Sequence, residues 1–139
     1  MKGKTPLLGL CPIGKFVFSN EDALRYKRGI QERLARWGVR YVDLEGVLED
    51  GLVKDQAHVD AAVAHFRQAG IDALFMPHCN FGTEGAVGMI ARKLDVPLLL
   101  WGPRDEAPLP DGTRLRDTLC GLFASSRVLT KLGVSLIFI

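Results

Sequence analysis

The chain has 139 residues and a mass of 15.3 kDa, room for one domain, and its 47% hydrophobic and 24% charged residues suit a packed core rather than a disordered tail. Eighteen Lys+Arg against sixteen Asp+Glu leave a formal +2, and the basic residues are scattered rather than massed into a stripe, which argues against a nucleic-acid partner. No apolar run approaches the roughly 18–20 residues of a membrane helix, and Met1 to Pro6 lacks the pattern of a signal peptide, so no membrane partner and a cytoplasmic location are expected.

Leu7 to Cys11 is a short apolar run followed by Pro12-Ile13-Gly14, which reads as a buried strand ending in a loop. Ser19 before Glu21-Asp22 starts a helix with Ala23, Ile30, Leu34 and Trp37 along one face, stopped at Gly38. Val39 to Asp43 alternates as a second strand. Val59, Ala62, Val63 and Phe66 form the stripe of a second helix closed by Gly70. Ile71 to Met76 is a third strand, and Thr83-Glu84 opens a third helix carrying Val87, Ile90, Ala91 and Leu94. Val96 to Trp101 is a strand too apolar to have a wet face. After the charged, proline-rich loop Gly102 to Gly112, a fourth helix is expected to carry Leu115, Leu119, Leu122 and Leu129 up to Gly133, with Val134 to Ile139 as strand five.

Strict alternation of strand and helix predicts α/β architecture: a five-stranded parallel sheet, flavodoxin-like in the order 2-1-3-4-5, with helices on both faces. The last strand is left uncapped by any following helix, so residues 1–139 are expected to be a single α/β domain, the N-terminal fragment of a longer protein.

Open parallel sheets bind ligands outside the carboxyl ends of their strands. Four loops meet there: Pro12 to Ser19, Leu44 to Asp50, Pro77 to Thr83 and Gly102 to Gly112. Gly9 to Phe16 nearly spells a phosphate-cradling loop, but Phe16 replaces the magnesium-binding hydroxyl and Gly9 lies inside the strand. No G-x-G-x-x-G opens the first helix. His58 and His65 read as solvated helix residues, whereas His78 follows a buried strand in Pro77-His78-Cys79-Asn80-Phe81-Gly82-Thr83-Glu84. One reading makes this a capping loop in which Asn80 satisfies backbone groups and Cys79 is a small buried hydrophobe. The other makes it a pocket for an uncharged polyhydroxylated ligand, with Asn80 supplying hydrogen bonds and Phe81 a flat apolar face. Trp101 and Arg104 form either an aromatic plug with a solvated loop or a substrate rim, and Lys15 and Phe16 face the same crevice from strand one. No His/Cys/Asp cluster has metal-ligand spacing, and Cys11, Cys79 and Cys120 form no CxxC, so reduced thiols are expected.

The run Phe75 to Glu84, then Val96 to Gly102 and Arg104 to Pro108, together with Gly9 to Gly14 and Leu115 to Cys120, resembles the amino-terminal domain of the L-fucose/L-arabinose isomerase family. That resemblance implies an aldose–ketose isomerase whose divalent metal, usually manganese, and acid/base carboxylates lie in later domains. This chain would then hold no cofactor and no catalytic residue, and would not catalyse alone. It would pack against a neighbouring subunit of a homo-oligomer and help to close that subunit's sugar pocket. Residue by residue, the family pattern falls on Gly14-Lys15-Phe16, Cys79-Asn80-Phe81-Gly82 and Trp101-Gly102. Cys79 departs from the tryptophan that some fucose isomerases carry there, so the sugar is left open. Two other classes remain: a free-standing sugar-binding module, and a small independent enzyme using Cys79 and His78.

Overall fold

The computed structural model describes residues 3–135 and 137–138; Leu136 and Ile139, within the expected fifth strand, lie outside the described residues. The chain is an α/β domain on a parallel sheet. In order come β1 (Leu8–Leu10), α1 (Asn20–Arg36), β2 (Tyr41–Val42), α2 (Val59–Ala69), β3 (Ala73–Pro77), α3 (Glu84–Leu94), β4 (Leu98–Trp101), α4 (Thr118–Lys131) and β5 (Ile137–Phe138). The ladder runs β2-β1-β3-β4-β5, with Gly9 between Val42 and Leu74, and Leu99 beside Ile137.

The two faces of the sheet are covered unequally. α2, α3 and α4 share one apolar core with Leu74, Met76, Leu98 and Leu100. On the other face, among the described residues, α1 alone packs, through Ala23, Ile30 and Leu34, against Leu10 and Phe75. Strand alternation sorts β4 accordingly: Leu98 and Leu100 are buried, Leu99 and Trp101 half-buried. Gly9 lets α2 and the turn after it lie close to β1, because a Cβ there would stand 3.2 Å from Phe66 Cδ1 and 2.7 Å from Ile71 Cδ1.

α1 starts where the sequence places it, with Ser19 Oγ accepting the Asp22 N–H at 3.1 Å. Its stripe holds for Ala23, Ile30 and Leu34, but Trp37 is the C-cap and 70% exposed. α4 departs further from expectation. It begins at Thr118, so Leu115 precedes it, and Leu119 is 56% exposed; the inward face is Thr118, Gly121, Leu122, Ser125 and Leu129. The reason is a non-local cap. Asp117 takes a left-handed conformation and makes no cap bond, while Asp105, upstream in the loop, accepts the Thr118 N–H at 3.0 Å and the Leu119 N–H at 3.4 Å. His58 is likewise not a bare surface residue, since its Nδ1 accepts the Lys54 N–H at 3.2 Å. Among the described residues no helix is long and apolar enough to cross a membrane.

Candidate functional site

The loop after β1 is threaded between two neighbours at the carboxyl ends of the strands, Ile13 bridging in parallel to both Val53 and His78. It then meets Asn80, whose side chain is 1% exposed. Asn80 Oδ1 accepts the Lys15 N–H at 2.7 Å and the Gly82 N–H at 3.4 Å, and Nδ2 donates to the carbonyls of Lys15 at 3.3 Å and Ser19 at 3.4 Å. The amide's bonding capacity is thus spent on joining the β1 and β3 loops. The Thr83 hydroxyl, between the carbonyls of Gly14 at 2.9 Å and Lys54 at 3.0 Å, adds the loop before α2 to the same knot.

What this knot presents to solvent is aromatic and charged. Phe81 stacks on Phe18 with centroids 5.4 Å apart, and Lys15 Nζ stands 4.8 Å over the Phe81 ring while pairing with Glu84 at 3.4 Å. Phe16, next to Lys15 in the chain, is 77% exposed. Ser19 N–H donates to Leu115 O at 3.0 Å, tying this loop to the segment before α4, whose Leu119 and Phe123 are also exposed.

His78 and Cys79 lie behind this rim, both fully buried. His78 Nε2 is 2.8 Å from Ser125 Oγ on α4. Burial lowers its pKa to about 4, so the imidazole is neutral near pH 7. Burial pushes the Cys79 thiol up to about 12, and the Cys11 thiol higher still. With His78 turned to Ser125 and Cys79 Sγ directed at Pro77 O, the two make no nucleophile–base pair, and the reading as a small independent enzyme loses its support.

The loop after β4 behaves differently from the expected rim. The Trp101 ring lies on the α1 face, 6.1 Å from Phe75, and only its carbonyl serves the site, accepting the His78 N–H at 2.8 Å. Arg104 is exposed and contributes its carbonyl to Arg116. Arg116, which the sequence marks only as part of the Leu115 to Cys120 stretch, is the largest fully buried side chain among the described residues. It donates to Glu106 at 2.9 Å and packs 3.5 Å from the Tyr26 ring, locking this loop onto α1. A lone arginine between loop and helix reads as solvated, and nothing in local spacing reveals Glu106 and Tyr26 as its partners.

Residues 9–139 match the family described as fucose/sulfoquinovose isomerase, N-terminal domain. The chain belongs to that family. Among curated proteins none matches the chain. Among the described residues no three or more His, Cys, Asp or Glu side chains are grouped to hold a metal ion.

Two predictions arise here. Asn80→Ala leaves the Lys15 and Gly82 donors without their acceptor and is expected to cost about 1–3 kcal/mol, with earlier hydrogen exchange at Lys15 and Gly82. Equal exchange in both proteins would show that the knot does not depend on Asn80. Second, His78 stays neutral when folded but protonates in the unfolded chain below its ordinary 6.5, so the unfolded state binds more protons between 6.5 and about 4. Stability therefore falls as pH drops through that window, by roughly 3 kcal/mol. Urea titrations at pH 7, 5.5 and 4 read the slope, which His78→Gln should flatten; an unchanged slope in that variant would assign the acid lability elsewhere.

Proposed function

We propose that this chain is the substrate-closing and subunit-contacting N-terminal domain of an aldose–ketose isomerase, flavodoxin-like in fold and not catalytic by itself. The observation that carries the reading is the buried Asn80 clamp, which fixes a rim of half-buried Lys15, Phe18, Phe81 and Glu84 with the exposed Phe16 at the carboxyl ends of the strands. Aromatic faces suit the C–H surfaces of an uncharged sugar, and a lysine–glutamate pair offers a donor and an acceptor to its hydroxyls. The rim covers a substrate held elsewhere rather than enclosing one, since the Asn80 amide behind it is already spent on backbone groups. The exposed Phe16, Val17, Leu119 and Phe123 fit contact with a neighbouring subunit of a homo-oligomer. The metal, manganese in this reading, and the proton-moving carboxylates belong to other domains, and the working location is the cytoplasm.

The test is a calorimetric titration with L-fucose and pentoses in the presence of manganese, run on the 139-residue chain and on a complete protein carrying it. Binding and turnover by the complete protein alone support the closing role. Saturable sugar binding by the isolated chain would instead make it a free-standing binding module.

A further inference from the structure

The two sugars in the family's description differ in charge, fucose being neutral and sulfoquinovose carrying a sulfonate. A rim that closes over one of them meets that difference through few residues. Lys15 is, among the described residues, the only cation over the Phe81 ring, at 4.8 Å. Glu84, the first residue of α3, places its carboxylate 3.4 Å from Lys15 Nζ, and the two side chains are 31% and 38% exposed, within reach of a ligand. One carboxylate therefore answers two positive features, the Lys15 ammonium and the positive end of the α3 dipole. Neighbouring cations do not restore the lost charge. Lys54 pairs with Asp50 at 3.1 Å, Arg25 with Asp22 at 2.6 Å and Glu106 at 3.0 Å, and Arg116 is buried against Glu106. Arg104 and Arg114 are exposed, but both belong to the loop between β4 and α4.

We propose that Glu84 is a specificity-determining residue: it neutralises the rim, so that the closed site accepts a neutral sugar and turns away one bearing a sulfonate. This inference rests on the closing role proposed above. A sulfonate is the anion of a strong acid and cannot take up a proton to enter. At the rim it meets Lys15 only in competition with Glu84, and it meets Glu84 as like charge. A neutral sugar has no such conflict. Its hydroxyls donate to the carboxylate and accept from the ammonium, while its C–H face lies on the stacked Phe18 and Phe81 rings. The ion pair thus costs the neutral ligand nothing and the anionic one most of its attraction to Lys15.

The test is the ratio of kcat/KM for L-fucose to that for sulfoquinovose, measured with manganese on a complete protein carrying this domain. Stereochemical differences between the sugars cancel when that ratio is compared between variants. The parent protein is expected to prefer the neutral sugar. Glu84→Gln keeps the side chain's length and removes its charge, and should move the ratio about tenfold towards the sulfonate. The double variant Lys15→Met, Glu84→Gln should lose that gain, because the ammonium that takes the sulfonate is gone. A parent that prefers the sulfonate, or turns over neither sugar, would overturn the proposal, as would a ratio unmoved within about twofold in Glu84→Gln. So would a gain that persists in the double variant, which would move anion recognition to Arg104 or Arg114. Lys15→Met separates two ways of failing. If it lowers kcat/KM for L-fucose while Glu84→Gln leaves the ratio unmoved, the rim touches the sugar and the charge assignment alone falls. If neither variant alters the kinetics with either sugar, the closing role falls as well.

Discussion

Gly121→Ala is expected to cost about 3 kcal/mol or more, at or beyond the upper end of core overpacking, and to dislodge the Phe81 loop from α4. A Cβ at Gly121 would lie 1.5 Å from the Phe81 carbonyl oxygen and 2.5 Å from its carbon. Those are backbone atoms, so no rotamer change relieves the clash; either α4 moves away from the sheet or the loop Cys79 to Thr83 moves. Both movements break the contact between His78 and Ser125 and shift the acceptor that holds Lys15. Gly29→Ala is the control, because its new methyl meets nothing within 4 Å. That helix substitution should raise stability by about 0.5–1 kcal/mol. Urea denaturation of the two variants measures the difference, and similar midpoints would show that α4 does not bear on the loop as closely as described.

Arg116→Ala is the second large effect. The guanidinium is fully buried, paired with Glu106 at 2.9 Å and Asp105 at 3.5 Å, donating to Arg104 O and lying over Tyr26. Its removal takes away the fastening of the β4 loop to α1, opens a cavity, and frees Asp105 from the geometry that caps α4. A loss of about 2–3 kcal/mol is expected, the range for losing a hydrogen bond to a charged group, since Glu106 is 37% exposed and can be rehydrated. The pH behaviour has a definite sign. Burial alone would raise the Glu106 carboxyl, but the bonds from Arg116, Tyr26 and Arg25 outweigh it and hold the pKa at about 2, against an ordinary 4.5. The stabilisation is therefore complete above 4.5 and lost as pH falls towards about 2. Denaturant titrations above and below this window test it: Arg116→Ala should lie well below the parent protein at pH 7 and approach it at the acid end. A difference below about 1 kcal/mol at pH 7 would show the arginine to be expendable.

Periodicity is a reliable guide where an element packs by its own stripe. Val59, Ala62, Val63 and Phe66 of α2, and Val87, Ile90 and Ala91 of α3, are all buried as their spacing predicts. At α4 it holds for Leu122 and Leu129 but fails for Leu115 and Leu119, because the cap comes from Asp105 and the helix starts at Thr118; Gly121 and Ser125 share the inward face, fitting against the Phe81 loop and His78 where a leucine would not. The site was legible as a place and not as a depth. Loop position marks Lys15, Phe16, His78, Cys79, Asn80 and Phe81 as neighbours, but only the folded chain separates the buried Asn80 and His78 from the exposed Phe16. Trp101 follows from strand alternation, since odd positions of β4 face α1, and that parity sends its ring to Phe75 on the α1 face rather than to the β3 loop.

Phe16→Ala tests most directly the proposal that the rim closes over a sugar bound by other domains. At 77% exposure the ring contributes little to folding, so the variant should melt with the parent protein. Steady-state kinetics of the complete isomerase with manganese and L-fucose should show kcat/KM reduced by about tenfold or more, the effect of losing a group that orients substrate or excludes water. Kinetics unchanged within about twofold, in a protein of unchanged stability, would contradict the closing role.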